Sequence, residues 1–461
     1  MRARSFLWIA ALILLGAHGA RAGDAAGDAA DARQKALEGD FGAAIAHAQA
    51  AVKADGQDVR TARLLQDLLL HEGRAQEAKD LAPSLGSPIA ARYLQARLLP
   101  AKEAAKALKD AKGDDGAPET LRLDLAEAML RLGKVPSADS EAKSYVKDHP
   151  DDAEGYALVG RIAAHRGKAR DARPALERAL ELLPGYAPAA VLLAEVLHDL
   201  KEPAQARSVL ATALAQYSSN PELRIGLAED QVRAGELDAA LTTLEALVAE
   251  RKRYAPGHAH LGHVHRLVDE MKEAEASART ALSIDSGNLL ALETLGFVRF
   301  KAKDIKGSVE QYRVVLLADP TRIEPYVYIG FCLAIQNELD HAQEMLDKAL
   351  KLDKEHIDAN LKAGVVAYLR GKHRAARKHL TFVLKEDPTR VEAHRYMGYL
   401  HLAAGKAKEA LKALEIVIQA RPDDILSIRM AGRAQFDLGK KEQAQTLLER
   451  AVELDEKDHW A

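Results

Sequence analysis

Residues 257–266, GHAHLGHVHR, place four histidines (His258, His260, His263 and His265) within eight positions. Imidazole is a common metal ligand and the side chain that titrates closest to neutral pH. The stretch therefore offers two chemistries. In one, His260 and His263, one helical turn apart, join Glu229 as three ligands to zinc. In the other, the same imidazoles gain charge in mildly acidic surroundings and weaken or strengthen a contact. No HExxH motif and no cysteine cluster accompanies them, so no metalloprotease pattern supports the first chemistry. Two SxxK matches, Ser140 to Lys143 and Ser144 to Lys147, have the spacing of acylating hydrolases but lack a following KTG. With no Gly-rich phosphate loop after a strand either, the sequence assigns no catalytic residue, no metal and no cofactor. Whether the histidines can converge depends on which faces of which elements they occupy.

Those elements are helical. The 461 residues are 29% charged and 5% aromatic, with alanine the main apolar residue. That composition fits long helices in close, small-residue contact, and no sustained two-residue alternation marks a strand. The first residues, MRARSFLWIAALILLGAHGARAGD, have the charged start, apolar middle and small-residue end of a secretory signal, with cleavage expected after Ala22. The expected product is periplasmic or secreted, with no membrane span and no cysteine for a lipid. Removing Arg2, Arg4 and Arg21 from 65 basic residues leaves 62 against 68 acidic ones, a formal charge of −6. A mildly acidic chain without a basic block is a poor partner for nucleic acid. Cys332 is the one cysteine, so packing alone must hold the fold together.

Self-similarity organises the chain. At a period of 34 residues one phase reads Ala44, Ala78, Ala138, Ala172, Ala206, Ala240, Ala274, Ser308, Ala342, Ala376, Ala410 and Ala444. The step from Ala78 to Ala138 is longer and implies one shortened unit near residues 87–118. A second phase, five residues earlier, reads Gly39, Gly73, Gly133, Gly167, Lys201, Gly235, Asp269, Lys303, Asn337, Gly371, Gly405 and Gly439. Recurrent glycine with occasional Asn or Asp marks a reversal that needs positive φ at a helix end. Pro150, Pro184, Pro320, Pro388 and Pro422 fall between units, where a helix must stop. Each unit is thus two helices joined by a tight turn. A single pair cannot bury its own apolar face, so pairs must stack.

These residues, with LGFVRF around Gly296, YMGY around Gly398, GKAKEA over 405–410 and the closing Pro422, resemble the tetratricopeptide repeat family. The resemblance implies an all-α fold: a right-handed α-solenoid of stacked helix-turn-helix repeats whose first helices line a concave groove that binds extended peptides. It divides the chain into a signal (1–22), atypical repeats (23–118), ten contiguous units (119–458) and a short tail (459–461). The sequence departs from the family at the aromatic slot of the first helix, which Tyr156 and Tyr326 fit and Arg122, Arg224 and Asn360 do not.

With Gly262 at position 8 of its unit, His258 and His265 lie on the face packed between helices, and His260 and His263 on the face turned toward the groove. The four cannot meet at one ion. The same groove positions later in the chain carry Phe297 and Phe300, Tyr328 and Phe331, Lys362 and Tyr368, Tyr396 and Tyr399, and Phe436. Rings at exposed positions form a binding surface rather than a core. Charge along the groove is uneven: Asp124, Glu127, Glu154, Glu195, Asp199, Glu222 and Glu229 come early, and Lys362, Arg395, Arg429 and Arg433 late. The late groove is therefore expected to hold a protein or extended peptide, with an acidic or C-terminal carboxylate segment received by charge-assisted hydrogen bonds. A metal-binding or saccharide-handling role for His260 and His263 is the alternative. Past the last unit too little chain remains for a closing helix, so Leu447, Leu454 and Trp460 are expected to offer a self-association surface.

Overall fold

The computed structural model of the protein describes residues 25–114 and 116–458, apart from the side chains of 456–458. The expected signal segment and Trp460 lie outside the described residues. Among those described there are twenty-six α-helices, one 3₁₀ turn and no strand. First helices begin at 153, 187, 221, 255, 289, 323, 357, 391 and 425, each 34 residues after the one before. The shortened unit consists of the brief helices Pro88–Arg97 and Ala101–Ala111.

The three sequence phases have three physical causes. The recurrent alanines are completely buried in nearly every unit, because the second helix crosses the first there and leaves room for one methyl group. Ser308 fills the slot once and satisfies its hydroxyl by donating to the Gly296 carbonyl at 2.8 Å. Across the same crossing, a Cβ placed on Gly398 would lie 2.7 Å from Leu414 Cγ, so glycine sets how closely the helices approach. All twelve turn positions adopt positive φ, including the four that are not glycine: Lys201, Asp269, Lys303 and Asn337, at 64–67°.

The chain divides after Thr294 into two compact units. Within the second, the first helices Ile323–Ile335, Ile357–Leu369, Val391–Ala403 and Ile425–Asp437 touch one another in turn, and their second helices do not approach as closely. Elements that crowd lie on the inside of a curve, so this stack bends with its first helices on the inner face. The first unit shows the same pattern from Leu121–Arg131 to Ala255–Leu267.

Candidate protein-binding surfaces

The four histidines do not converge. His258 Nε2 donates to the Lys252 carbonyl at 3.0 Å, and His265 Nδ1 pairs with Glu270 at 2.7 Å. His260 is 7% exposed and sits 3.3 Å from Glu229; His263 Nδ1 accepts from Arg266 at 3.2 Å. His260 is thus an interior residue and not an exposed rung of a groove. Among the described residues no group of three or more His, Cys, Asp or Glu is arranged to hold a metal ion. Of the SxxK residues, Ser144 accepts from Arg122 and Lys143 pairs with Asp139 at 2.9 Å.

The aromatic slot explains His258. In five repeats the side chain at this position bonds the carbonyl six residues earlier, in the turn that closes the preceding repeat. The pairs are Arg224 to Ser218, His258 to Lys252, Tyr326 to Pro320, Asn360 to Lys354 and His394 to Pro388. The slot selects a hydrogen-bond donor with reach, which is why arginine and asparagine substitute for tyrosine. Arg122 and Arg224 also reach the second helix of their own repeat, at Asp148 and Glu250, both 2.6 Å away.

In the first unit the inner face is covered by the chain's own N-terminal helices, which sequence reasoning did not foresee. Arg63, on helix Val59–His71, is 3% exposed. It forks onto Glu154 at 2.6 and 2.9 Å and onto Asp124 at 3.1 Å through two nitrogens. Arg97 adds bonds to Asp67 and Gln66, both at 2.6 Å, and lies 3.0 Å from Asp124. Tyr93 donates to the same Asp124 carboxylate. Burial alone would push Asp124 up, but Arg63 and Arg97 overcome it and hold the carboxyl at about 2. Burial wins at Glu154, which is pushed up to about 7 against the pull of Arg63. Further along, Leu37 packs in one cluster with Tyr186 and Leu193. Asn220 Nδ2 donates to the Leu37 carbonyl at 3.0 Å and Ser219 Oγ to that of Glu38 at 2.7 Å. Arg251 reaches the Gly39 carbonyl and lies over the Phe41 ring, while His71 stacks on Tyr254 at 5.5 Å. The acidic early groove therefore has an occupant. The available signal was the run of early groove carboxylates, Asp124 and Glu154 among them.

The second unit carries the expected rings. Phe297, Phe300, Tyr328 and Phe331 form a half-buried row with centroids 5.4–6.4 Å apart, backed by Tyr312, which stacks on Tyr328. Lys362 Nζ lies 4.1 Å from the Phe331 centroid and 3.2 Å from Glu392. Tyr368, Tyr396 and Tyr399 form a second group, 5.4–6.0 Å apart. Here one placement differs from the sequence expectation: Tyr399 is 7% exposed and belongs to the packing between first helices. Its hydroxyl is 3.4 Å from Ser427, and burial pushes its pKa up to about 12. Arg395 is held by Asp424 at 2.5 Å. Arg429, Arg433 and Phe436 are exposed, at i, i+4 and i+7 along one face of Ile425–Asp437. On the last helix Leu447 is partly buried against the core cluster that contains Leu411 and Ala431, while Leu448 and Val452 are the exposed apolar residues.

Among the described residues no helix is long and apolar enough to cross a membrane. No curated protein matches the chain. Among solved structures, the APC/C hetero-tetramer Cut9–Hcn1 is 14% identical over 94% of this chain and 94% of that one, with a TM-score of 0.58; this is a likeness of fold. Two structures of MamA, each 23% identical, cover 36% and 37% of this chain and 97% and 93% of theirs, both with TM-scores of 0.31. Sequence profiles described as tetratricopeptide repeat match residues 123–187, 163–219, 201–261, 367–431 and 430–458. With the turn geometry, the buried small-residue phase and these matches in agreement, the chain belongs to the tetratricopeptide repeat family.

Proposed function

We propose that this protein is an exported, non-catalytic scaffold that holds a protein or extended peptide on the inner face of its second unit, within a cell-envelope assembly. Tetratricopeptide repeats generally bind proteins or peptides, and the sequence over residues 1–22 supports export. The observation that carries the reading is a difference between the two inner faces. That of the first unit is covered by helices 25–71. That of the second leaves Arg429, Arg433 and the 60% exposed Phe436 without a covering segment among the described residues. Two arginines beside an exposed ring favour a guest with a carboxylate next to an apolar side chain, since guanidinium forks onto carboxylate and the ring supplies desolvated area. The half-buried row from Phe297 to Phe331 extends the apolar component.

The test uses fluorescent peptides ending in an aromatic residue and a free carboxylate, with C-terminal amides as controls. The full chain is expected to prefer the free carboxylate. The double variant Arg429→Glu/Arg433→Glu should lose that preference at least tenfold with unchanged helicity, because both side chains are exposed. Equal binding of carboxylate and amide by the parent chain would refute the reading. Self-association through Leu448 and Val452 is a second property we assign to this unit. It predicts a mass that rises with concentration in light scattering and falls to the monomer in Leu448→Gln/Val452→Gln.

A further inference from the structure

In the second unit the turns inside the last three repeats carry a charge pattern that their own geometry disfavours. The first turn of a helix holds unpaired N–H groups and the positive end of its dipole, so an acid stabilises it and a cation does not. The residue just before each second helix follows this rule through five successive repeats, as Glu202, Glu236, Glu270, Asp304 and Glu338. In the three that follow it is Lys372, Lys406 and Lys440. A second cation stands in the first turn of each of these helices: Arg374, Lys408 and Lys441. All six are exposed, and none has an ion pair or side-chain hydrogen bond among the described residues. Local stability does not account for them. The surrounding chain adds to the imbalance: residues 370–412 hold eleven Lys and Arg against four Asp and Glu, in a chain whose formal net charge is −3. Because the helix pairs stack, the turns at Gly371, Gly405 and Gly439 lie along one edge, with contacting helices about 8–10 Å apart. The sequence spaces the cations out; the fold gathers them into a row. Aliphatic side chains share that row. Leu369, which ends its first helix, is 50% exposed, and Leu438, which caps the first helix of the last repeat, is 37% exposed. These side chains stand on turn tips, not in a groove. A partner protein would need a complementary shape to bury them, whereas a bilayer surface takes aliphatic tips among its headgroups and cations against its phosphates with no shaped cavity.

We propose that this edge is a membrane-docking surface: the turns 369–374, 403–408 and 437–442 rest on a bilayer rich in anionic phospholipid, with Leu369 and Leu438 entering the headgroup layer and the six cations meeting phosphate oxygens. The contact is peripheral and needs no spanning helix. It uses none of the residues assigned to the guest of the inner face, so the two surfaces are tested separately.

The experiment sediments the full chain with vesicles of phosphatidylcholine alone, or of phosphatidylcholine and phosphatidylglycerol in equal parts. The anionic vesicles are expected to bind the parent on the order of tenfold more tightly, and less so in high salt, which screens exposed charges. Lys372→Glu/Lys406→Glu/Lys440→Glu should lose most of that difference. Five other repeats carry an acid at this position, so the fold accepts the change, and the variant should keep its helicity and its preference for carboxylate peptides. Leu369→Ser/Leu438→Ser should weaken binding to the anionic vesicles by about threefold or more, through lost apolar burial. Residues 1–22 are common to every variant, so the comparison cancels any lipid affinity of their own. Hydrogen exchange localises the contact: anionic vesicles should protect amides within 369–374, 403–408 and 437–442 in the parent and not in the lysine variant. Equal binding of anionic vesicles by the parent and the lysine variant would overturn the proposal. So would protection of these turns by polyglutamate and not by vesicles, an outcome that makes the occupant an acidic polypeptide.

Discussion

His258 Nε2 and the carbonyl of Lys252 lie 3.0 Å apart, six residues separated, across the turn that joins two repeats. Tyr326 and Pro320 are related in the same way at 3.2 Å. The shared geometry makes a specific prediction. Tyr326→Phe keeps the ring and removes only the donor, so the turn 318–323 should loosen by about 0.5–1 kcal/mol, the net worth of one such bond. Hydrogen exchange of amides 321–327 should speed up, with amides of the neighbouring repeats unchanged. At His258, replacement by Gln, which retains a donor, should disturb the turn less than replacement by Phe.

The four left-handed residues that are not glycine offer a test of opposite sign. Lys303, at φ 64°, occupies a region that costs an L-residue roughly 1–2 kcal/mol. Lys303→Gly removes that strain but adds backbone freedom to the unfolded chain, which offsets part of the gain. The expected outcome is stabilisation of about 0.5–1 kcal/mol, seen as a higher urea midpoint. Gly405→Ala, at φ 70° in an equivalent turn, should shift the midpoint the other way.

Close approach at the helix crossing predicts a larger effect. A methyl on Gly398 would meet Leu414 at 2.7 Å, and Leu414 is completely buried, so it has nowhere to retreat. Gly398→Ala should destabilise by about 1–3 kcal/mol, the usual cost of overpacking, despite alanine's higher helix propensity. Gly439→Ala has open space around its Cβ but φ 76°, so its smaller loss would be one of backbone strain. Thermal unfolding of the two variants separates packing from conformation.

The repeat was legible because its three signals are local and recur: an alanine where helices cross, a positive-φ residue at the turn, a proline between units. Each follows from geometry that every repeat shares. Groove side chains were legible only as positions. Tyr328 and Phe331 kept partial exposure, whereas Tyr399, at the position equivalent to Phe331, was buried by its ring neighbours Tyr368 and Tyr396 and by Ser427. Periodicity assigns a residue to a face; whether the face is open depends on the bulk of the adjacent repeats. The covered inner face was not legible at all. The contact between Arg63 and Glu154 spans 91 residues, and no local spacing encodes a pairing at that distance. The run of early groove carboxylates marked an acidic face but not the residue that meets it.

The two carboxylates that meet Arg63 respond to pH in opposite directions, and the signs can be worked out from their shifts. Asp124 is depressed to about 2 from an ordinary 3.8. Its ionised form favours the folded chain, so its contribution is present above about 3.8 and is lost as pH falls toward about 2. Glu154 is raised to about 7 from an ordinary 4.5. Between those values the folded chain binds more protons than the unfolded one, so stability falls as pH rises through the window. At about 1.4 kcal/mol per pKa unit each limb is worth on the order of a few kcal/mol. Urea midpoints followed by circular dichroism should therefore show two separable slopes. Glu154→Gln should flatten the slope between about pH 4.5 and 7 and leave the acid limb in place. Asp124→Asn should remove the acid limb and preserve the other. If both substitutions shift the whole profile without changing either slope, these carboxyls are not the groups that titrate, and the electrostatics assigned to the Arg63 contacts are wrong.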